Sequence, residues 1–315
     1  MDNKGGDSSV NNKTRVRFSE KIGDFYHNNY KTLFWIPVII LLLALIQIGY
    51  QTATTGDFIN KGIAFKGGVS ITVDTDYKEV GDLELQLKAK FPQADINTRI
   101  TSEEGKQKSI IIESTTEARL SDLTYAIKEI ISKEDSSINI REFYTQEFSP
   151  EFASDFFRTT IIAVIVAFVF MATVVFFYFR TFIPSVAVVA AALCDIVITV
   201  AVFNLLGLRL APGGIAAFLM LIGYSVDTDI LLTTRAIVEK TGTLKDRINS
   251  AIKTGMLMTI TSIAAVTVGL IFSEAEILKQ IMTVVLIGLF VDIISTWIQN
   301  VAILRWFLEK KGERI

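Results

Sequence analysis

Four aspartates, Asp195, Asp227, Asp229 and Asp292, stand inside otherwise apolar stretches, and Arg235 closes the stretch that holds the middle two. An acid near the centre of a spanning helix costs about 2.5–3.5 kcal/mol on insertion scales, so such residues are read first as functional. Two tasks suit them: passing protons or ions, or fixing a helix contact through a buried hydrogen bond. The single histidine, His27, lies in a polar N-terminal segment, so a relay must run on carboxyls, hydroxyls and water. The same count excludes Ser/His/Asp and Cys/His catalysis and histidine-bearing metal sites. Cys194, the lone cysteine, permits no internal disulfide and no thiolate cluster, and reads as a small packing residue. The Gly-x-x-x-x-Gly-Lys-Ser/Thr phosphate loop is absent. The expectation is a non-enzymatic chain without cofactor or metal, drawing on an energy source other than bound ATP.

The elements that carry these acids follow from hydropathy. Of 315 residues, 50% are hydrophobic and 20% charged, with a net charge of −2 and a mean hydropathy of +0.44. Six stretches reach the roughly 20 apolar residues a spanning helix needs: Thr32–Tyr50, Phe156–Phe179, Pro184–Leu206, Pro212–Thr234, Met256–Phe272 and Leu278–Ile298. The first lacks an Ala-x-Ala cleavage site and reads as a retained span. With the N-terminus inside, sixteen Lys and Arg fall in the inner segments against two, Arg209 and Lys279, in the short outer loops. That bias places both termini in the cytoplasm and residues 51–155 outside. The expected segments are a cytoplasmic stretch 1–31, span 32–50, an extracytoplasmic domain 51–155, spans within 156–307 and a cytoplasmic tail 308–315.

A rise of 1.5 Å per residue puts Asp195 about 16 Å from the inner end of its helix, near the midplane, and Asp227 and Asp292 each about 21–22 Å from the outer surface. Successive 100° steps separate Asp227 from Asp229 by about 200°, so the two cannot face one partner helix. Asp227, Leu231, Thr234 and Arg235 form one stripe; Asp229 and Thr233 form another. Arg235, about 12 Å from Asp227 along the axis, reaches it only through Thr234 or water. The run Asp227-Thr228-Asp229 can also break the helix or bond to a partner subunit, and Arg235 can also be a snorkelling anchor. Asp292 is followed by Ser295, Thr296 and Asn300 at near-helical spacing. Pairs of small residues, Ala163/Ala167, Ala187/Ala191 and Gly213/Ala217, allow close helix packing.

The insert reads as β-α-β-β-α-β: a strand Ile63–Asp74, a helix Val80–Phe91 with Leu83, Leu85, Leu87 and Phe91, strands Asp95–Thr101 and Ser109–Ser114 around Glu103-Glu104-Gly105, a helix Glu117–Ile131 and a strand Ile138–Phe148. That order is the ferredoxin-like split βαβ unit. The fold class is therefore an α-helical polytopic membrane protein of six spans, with an α+β ferredoxin-like (βαββαβ) domain between helices 1 and 2. Between Gln51 and Asp155 stand 19 acidic and 12 basic residues, a net of −7. Such a surface stays solvated and repels nucleic acid and anionic lipid.

Three motifs resemble the archaeal-type SecF members of the SecD/SecF protein-export family, within the RND superfamily. Gly62-Ile63-Ala64-Phe65-Lys66-Gly67-Gly68 resembles the Gly-Ile-Asp-Phe-x-Gly-Gly signature, with Ala64 in place of its aspartate. Ala192-Leu193-Cys194-Asp195 is similar to the family's Ala-Leu-x-Asp, and Gly223 through Arg235 to its Gly-Tyr-Ser stretch ending in arginine. The resemblance implies half of an RND-type fold paired with SecD and associated with the SecYE channel, helping exported polypeptides leave on the outer side and able to use the proton gradient. It places Asp195 and Arg235 at the family's proton-pathway aspartate and arginine. Bacterial members read Asn-Asp-Thr where this chain has Asp227-Thr228-Asp229, so the acid is displaced by one position. Gly62, Phe65, Gly67 and Gly68 carry the signature, and the two final glycines suit a backbone turn or close approach. Membrane lipid is an implied partner and nucleic acid is not. A proton-driven RND-type exporter of small molecules or lipids, with twelve spans and two large outer loops, fits the layout less well; an assembly subunit whose acids only hold SecD is the third reading.

Overall fold

A computed structural model describes residues 26, 29–75, 77, 79–103, 106–115, 119–134 and 143–312. Most of the expected N-terminal segment, including His27, lies outside the described residues, as do Glu104-Gly105, the helix start at Glu117, the strand start at Ile138 and the last three residues of the tail.

Among the described residues, six helices are long and apolar enough to span a membrane. The first, α1, runs over Trp35–Thr55, preceded by a short turn Tyr30–Leu33. It continues past Tyr50 because Gly56, in the left-handed region, is the residue that ends it. Between α1 and the second span lies a four-stranded sheet with β1 at Gly68–Asp74, β2 at Ile96–Glu103, β3 at Lys106–Ser114 and β4 at Phe143–Phe148. The order is β2-β3-β1-β4 with every pairing antiparallel. Two helices cover one face, α2 (Val80–Lys90) and α3 (Leu120–Glu134). Val69, Ile71 and Val73 alternate inward from β1 and meet Ile110 and Ile112 of β3, Leu83 and Leu87 of α2, and Leu123, Ile127 and Ile131 of α3. Removing each such side chain from water is worth about 1.5–3 kcal/mol, enough for one modest core. Leu85, two positions from Leu83 on the same helix, points the other way and is 67% exposed.

The expected strand Ile63–Asp74 is corrected. Ile63–Lys66 is a single helical turn, and the strand begins at Gly68. Alternation of apolar residues ran through both pieces, but Gly67 (φ +85°) and Gly68 (φ +138°) turn the chain between them. A Cβ on Gly68 would lie 2.2 Å from the Ser114 carbonyl oxygen, and one on Gly67 2.7 Å from Pro150 Cα. Only glycine serves there, and the signature is a tight turn at which the start of the sheet packs against Pro150 at the head of the second span.

The remaining spans are α4 (Pro150–Phe179), α5 (Phe182–Leu205), α6 (Pro212–Thr233), α7 (Leu244–Phe272) and α8 (Glu276–Ile294). Two of them are extended by π-helical turns, Thr234–Val238 after α6 and Ser295–Asn300 after α8, and a final α9 (Val301–Lys310) continues the sixth span. Caps explain the helix starts: Ser149 accepts from the Phe152 amide with Pro150 in the first turn, and Thr243 with Asp246 forms a capping box at α7. Arg247 donates to the carbonyls of Ala236 and Glu239, closing the π turn after α6 at 2.7 Å each.

Helices α5, α6 and α8 form the centre, α1 lies on α5, and α4 and α7 flank the bundle with outward faces such as Phe170 and Ile271 exposed. The small face of α5 (Ala187, Ala191, Ala192) is buried, and Gly288 of α8 receives Leu221 of α6 so closely that a Cβ would lie 2.3 Å from its methyl.

Candidate functional site

The central three helices bring together three of the four intramembrane acids. Asp195 of α5, Asp229 of α6 and Asp292 of α8 are each 1% exposed or less. Asp195 accepts hydrogen bonds from Ser225 of α6 and from Ser295 at the start of the π turn. Asp292 accepts from Thr228 (3.1 Å) and from Thr296 (2.8 Å). Asp229 accepts from Thr296 (3.0 Å) and from the Asn300 amide (2.6 Å). Every hydrogen-bond partner of these carboxyls among the described residues is a hydroxyl or an amide.

The local backbone explains the convergence. Ser225 and Asp229 are four residues apart, so they stack on one face of α6, and Thr228 lies beside them. On the sixth span the helix widens over Ser295–Asn300, and Ser295, Thr296 and Asn300 are all fully buried. A π turn inserts a residue into the helical ladder, a feature frequent at functional sites, and here it aims Thr296 and Asn300 at α6 while Ser295 stays on Asp195. Thr296 stands between two carboxyls with one hydrogen to give, so it serves Asp292 or Asp229 but not both, and a proton on the other carboxyl can be donated back to it. Thr228 faces the same choice between Asp292 and the Ser225 carbonyl. Thr228, Asp292, Thr296, Asp229 and Asn300 form one chain of side-chain hydrogen bonds, and Asp195 with Ser225 and Ser295 stands beside it, meeting it at the backbone carbonyls of Ser225 and Asp292.

Asp227 stands apart. As the 200° separation requires, it lies on the exposed face of α6 with Gly223 and Tyr224. Arg235 is also outside the cluster: its guanidinium donates to Ser250 of α7 from within the π turn after α6, so the expected route from Arg235 through Thr234 to Asp227 is not the one the geometry makes. Cys194 packs among Ile198, Ala201 and Val291, with the Gln299 amide 3.4 Å from its sulfur. Ser225, Thr228 and Gln299 were not singled out from the sequence; the signal available was the four-residue spacing of polar residues on α6.

At the domain end of the bundle, the helices that carry the acids also hold the α+β domain. Asn204 of α5, about 14 Å along the helix from Asp195, donates to the Phe58 carbonyl and accepts from the Asn60 amide, both at 3.0 Å. Gln280 of α8, about 18 Å from Asp292, accepts from the amides of Ala211 (3.1 Å) and Gly214 (3.0 Å) and donates to the Arg209 carbonyl (2.6 Å). Arg209 then pairs with Asp95 at 2.7 Å, and Lys66 of the glycine signature reaches the same carboxylate at 3.3 Å. Burial pushes the Asp95 carboxyl up, but the hydrogen bonds and charges of Arg209 and Lys66 outweigh it and hold it below its ordinary range. Phe65 of the signature, 2% exposed, stacks on Phe156 (5.3 Å between centroids) and meets Phe157 edge-on (5.4 Å). A Cβ on Gly62 would lie 2.7 Å from the Leu210 carbonyl oxygen, which accepts the Gly62 amide at 2.8 Å. The signature residues therefore dock the domain, and they lie far from the carboxyls.

Comparison with known proteins bears on the same helices. The family model described as "Protein export membrane protein SecD/SecF, C-terminal" matches residues 126–310, which contain all three buried carboxyls. The chain belongs to the SecD/SecF family. Relatives in it include the protein-export membrane protein SecF of Methanolacinia petrolearia, 35% identical over 292 residues that make up 90% of this chain and 95% of that one. The SecF protein of Haloquadratum walsbyi is 36% identical, covering 89% and 93% of the two chains. That of Pyrococcus furiosus is 32% identical, covering 93% and 96%. Among solved structures, SecDF of Thermus thermophilus, described as a translocon-associated membrane protein, superposes with a TM-score of 0.68 at 18% identity over 90% of this chain. This chain spans 38% of the length of that SecDF chain. The likeness is one of fold: six spans with a four-stranded α+β domain, as in the SecD/SecF proteins.

Proposed function

We propose that this chain acts as the SecF subunit of the Sec protein-export machinery, a non-enzymatic partner of SecD at the SecYE channel that couples proton passage to the release of exported polypeptides. Its relatives are named protein-export membrane protein SecF. The observation that carries the coupling is the cluster of buried carboxyls at the centre of the spans, Asp292 and Asp229 bridged by the Thr296 hydroxyl and Asp195 held beside them by Ser225 and Ser295. One elementary charge crossing 100 mV releases about 2.3 kcal/mol, enough to bias a hinged domain between two positions. Because α5 carries both Asp195 and Asn204, and α8 both Asp292 and Gln280, a shift of either helix is delivered to the segments that hold the domain. In this reading residues 51–155 face the outside, both termini face the cytoplasm, and the multi-pass chain lies in the cytoplasmic membrane.

The partner face is on α6. Gly223, Tyr224 and Asp227 point out of the bundle, and a carboxylate facing lipid is costly. A Cβ added at Gly223 would meet nothing within 4 Å, leaving room for a close helix. SecD supplies that helix, in keeping with the missing share of the SecDF chain. Arg235, at the cytoplasmic end of the same helix, is assigned to proton entry. Affinity purification of the tagged chain from its native membrane tests the assignment: SecD and SecYE co-purify if it holds, and a complex lacking both favours a self-contained RND-type exporter.

A further inference from the structure

The cavity where the α+β domain meets the bundle has a volume of about 340 Å³ and presents three cations, Arg99, Arg209 and Lys279, against one acid, Glu276. We propose that it binds a phosphate-bearing anionic lipid headgroup, which staples the domain to the spans.

Four observations converge on this. The cavity is bounded by the ends of two spanning helices, α5, which stops at Leu205, and the first two turns of α8. That is the height of headgroups in a bilayer whose hydrocarbon these helices cross. Its apolar part is Phe203 and Leu208, and its polar part comes from both sides of the junction, Arg99 from β2 and Lys279 from α8. Donors are left over: Arg209 is committed to Asp95 and one terminal Arg99 nitrogen to Glu113, but the other is held only by Glu276 at 3.9 Å and Lys279 has no ion pair among the described residues. The local charge also runs against its surroundings: the insert carries a net −7 between Gln51 and Asp155, yet the junction gathers one basic side chain from it, Arg99, and two from the bundle, Arg209 and Lys279.

Phosphate oxygens suit an arginine fork and a lysine ammonium together. Lipid is favoured over an acidic segment of a passing polypeptide. A soluble anion must cross the field of an acidic domain to arrive, whereas a lipid diffuses in at high local concentration in the plane where the cavity opens. A headgroup held between Arg99 and Lys279 adds to the ion pairs that already cross the junction, Arg209 with Asp95 and Arg99 with Glu276 at 3.9 Å.

The test is native mass spectrometry of the full chain released from bilayer nanodiscs holding equal amounts of phosphatidylglycerol and phosphatidylcholine. The wild type is expected to retain one phosphatidylglycerol in preference to phosphatidylcholine. Each basic charge near a membrane surface is worth a factor of about 5 in binding, so Lys279→Gln loses about 5-fold of that preference and Lys279→Glu about 25-fold. Lys240→Glu, the same charge change on an exposed residue at the other end of the bundle, leaves it intact. Lys279→Gln keeps the test valid if the reversal fails to fold. A wild type without preference, or a Lys279→Gln variant that retains it in full, overturns the proposal. Displacement of the lipid by millimolar inorganic phosphate, but not by chloride of equal ionic strength, reassigns the cavity to a free anion, and displacement by a glutamate-rich peptide reassigns it to an acidic polypeptide; both overturn the lipid assignment.

Discussion

Asp292 and Asp229, on different spanning helices, are joined by a single hydroxyl, that of Thr296, which lies 2.8 Å from the first and 3.0 Å from the second. One hydrogen between two carboxyls makes the bridge directional at any instant and reversible over time. The hydroxyls of Ser225 and Ser295 hold Asp195 in the same three-helix junction, so the centre of the bundle is a set of proton positions that the backbone keeps within hydrogen-bond reach.

Replacing Thr296 by Val removes that bridge while keeping the β-branched shape. Interhelical hydrogen bonds in membranes are worth about 0.6 kcal/mol on average and about 1.7 at most, so the thermal midpoint of the purified chain is expected to change little. Export of a secreted reporter in cells with no other copy is expected to fall toward that of a strain lacking the chain, and Thr296→Ser to restore it. Unimpaired export in Thr296→Val contradicts the bridge.

The glycine signature makes a prediction about the fold. Gly68→Ala forces a Cβ against the Ser114 carbonyl oxygen at a backbone angle of +138°. Left-handed strain costs about 1–3 kcal/mol and the overlap adds to it. A fall in the melting temperature of the α+β domain and a lower yield of folded chain are expected. Gly81→Ala is the control, because nothing lies within 4 Å of the added atom and the residue sits in α2, where alanine gains about 0.8–1.0 kcal/mol. Equal behaviour of the two variants removes the argument for a glycine turn.

Asp95 gives the junction a pH dependence. Its folded carboxyl titrates below its unfolded value, so the stability it contributes is fully present above about pH 4, the unfolded value, and is lost as pH falls through the lower folded one. Glu113 works in the opposite sense, since burial pushes its carboxyl up against the opposing charges of Arg99 and Arg209. The comparison that isolates Asp95 is wild type against Asp95→Asn: the difference in melting temperature is expected in full above about pH 4 and to shrink as pH is lowered below it. A difference that does not shrink in acid rules out the pairing with Arg209 and Lys66 as its source.

Asp227 faces away from the carboxyls, and its substitution is expected to act on assembly. Asp227→Leu relieves the cost of an acid on the outer face of α6 in the isolated chain and removes its partner contact. Recovery of SecD with the tagged chain is expected to fall about 10-fold or more, the effect of losing a charged hydrogen bond, while Asp229→Asn leaves recovery unchanged. The reverse pattern assigns the partner face to the wrong side of the helix.

The sequence located the acids because an aspartate in a hydrophobic stretch is visible without knowing the fold. It separated Asp227 from Asp229 by helical geometry but could not say which faced inward, since apolar residues surround both. The convergence on Thr296 was not legible: it depends on the π turn over Ser295–Asn300, which no residue pattern announces. In the insert, the order of strands and helices followed from alternation and helical periodicity. The strand start was placed too early because Ile63 and Phe65 alternate as well as any strand, and the turn at Gly67 and Gly68 shows itself only in backbone angles.

Asp195 is the acid held by hydroxyls from both neighbouring helices, so the account rests on it most heavily. The direct measurement is the export rate of a secreted reporter in cells whose only copy carries Asp195→Asn, which keeps the shape of the side chain but replaces one acceptor oxygen by an amide donor and cannot carry the carboxyl proton. Export as slow as in the strain lacking the chain, with SecD recovered in normal amount, is the predicted result. Export at the wild-type rate with the same SecD recovery would show that the buried carboxyls only hold helices together.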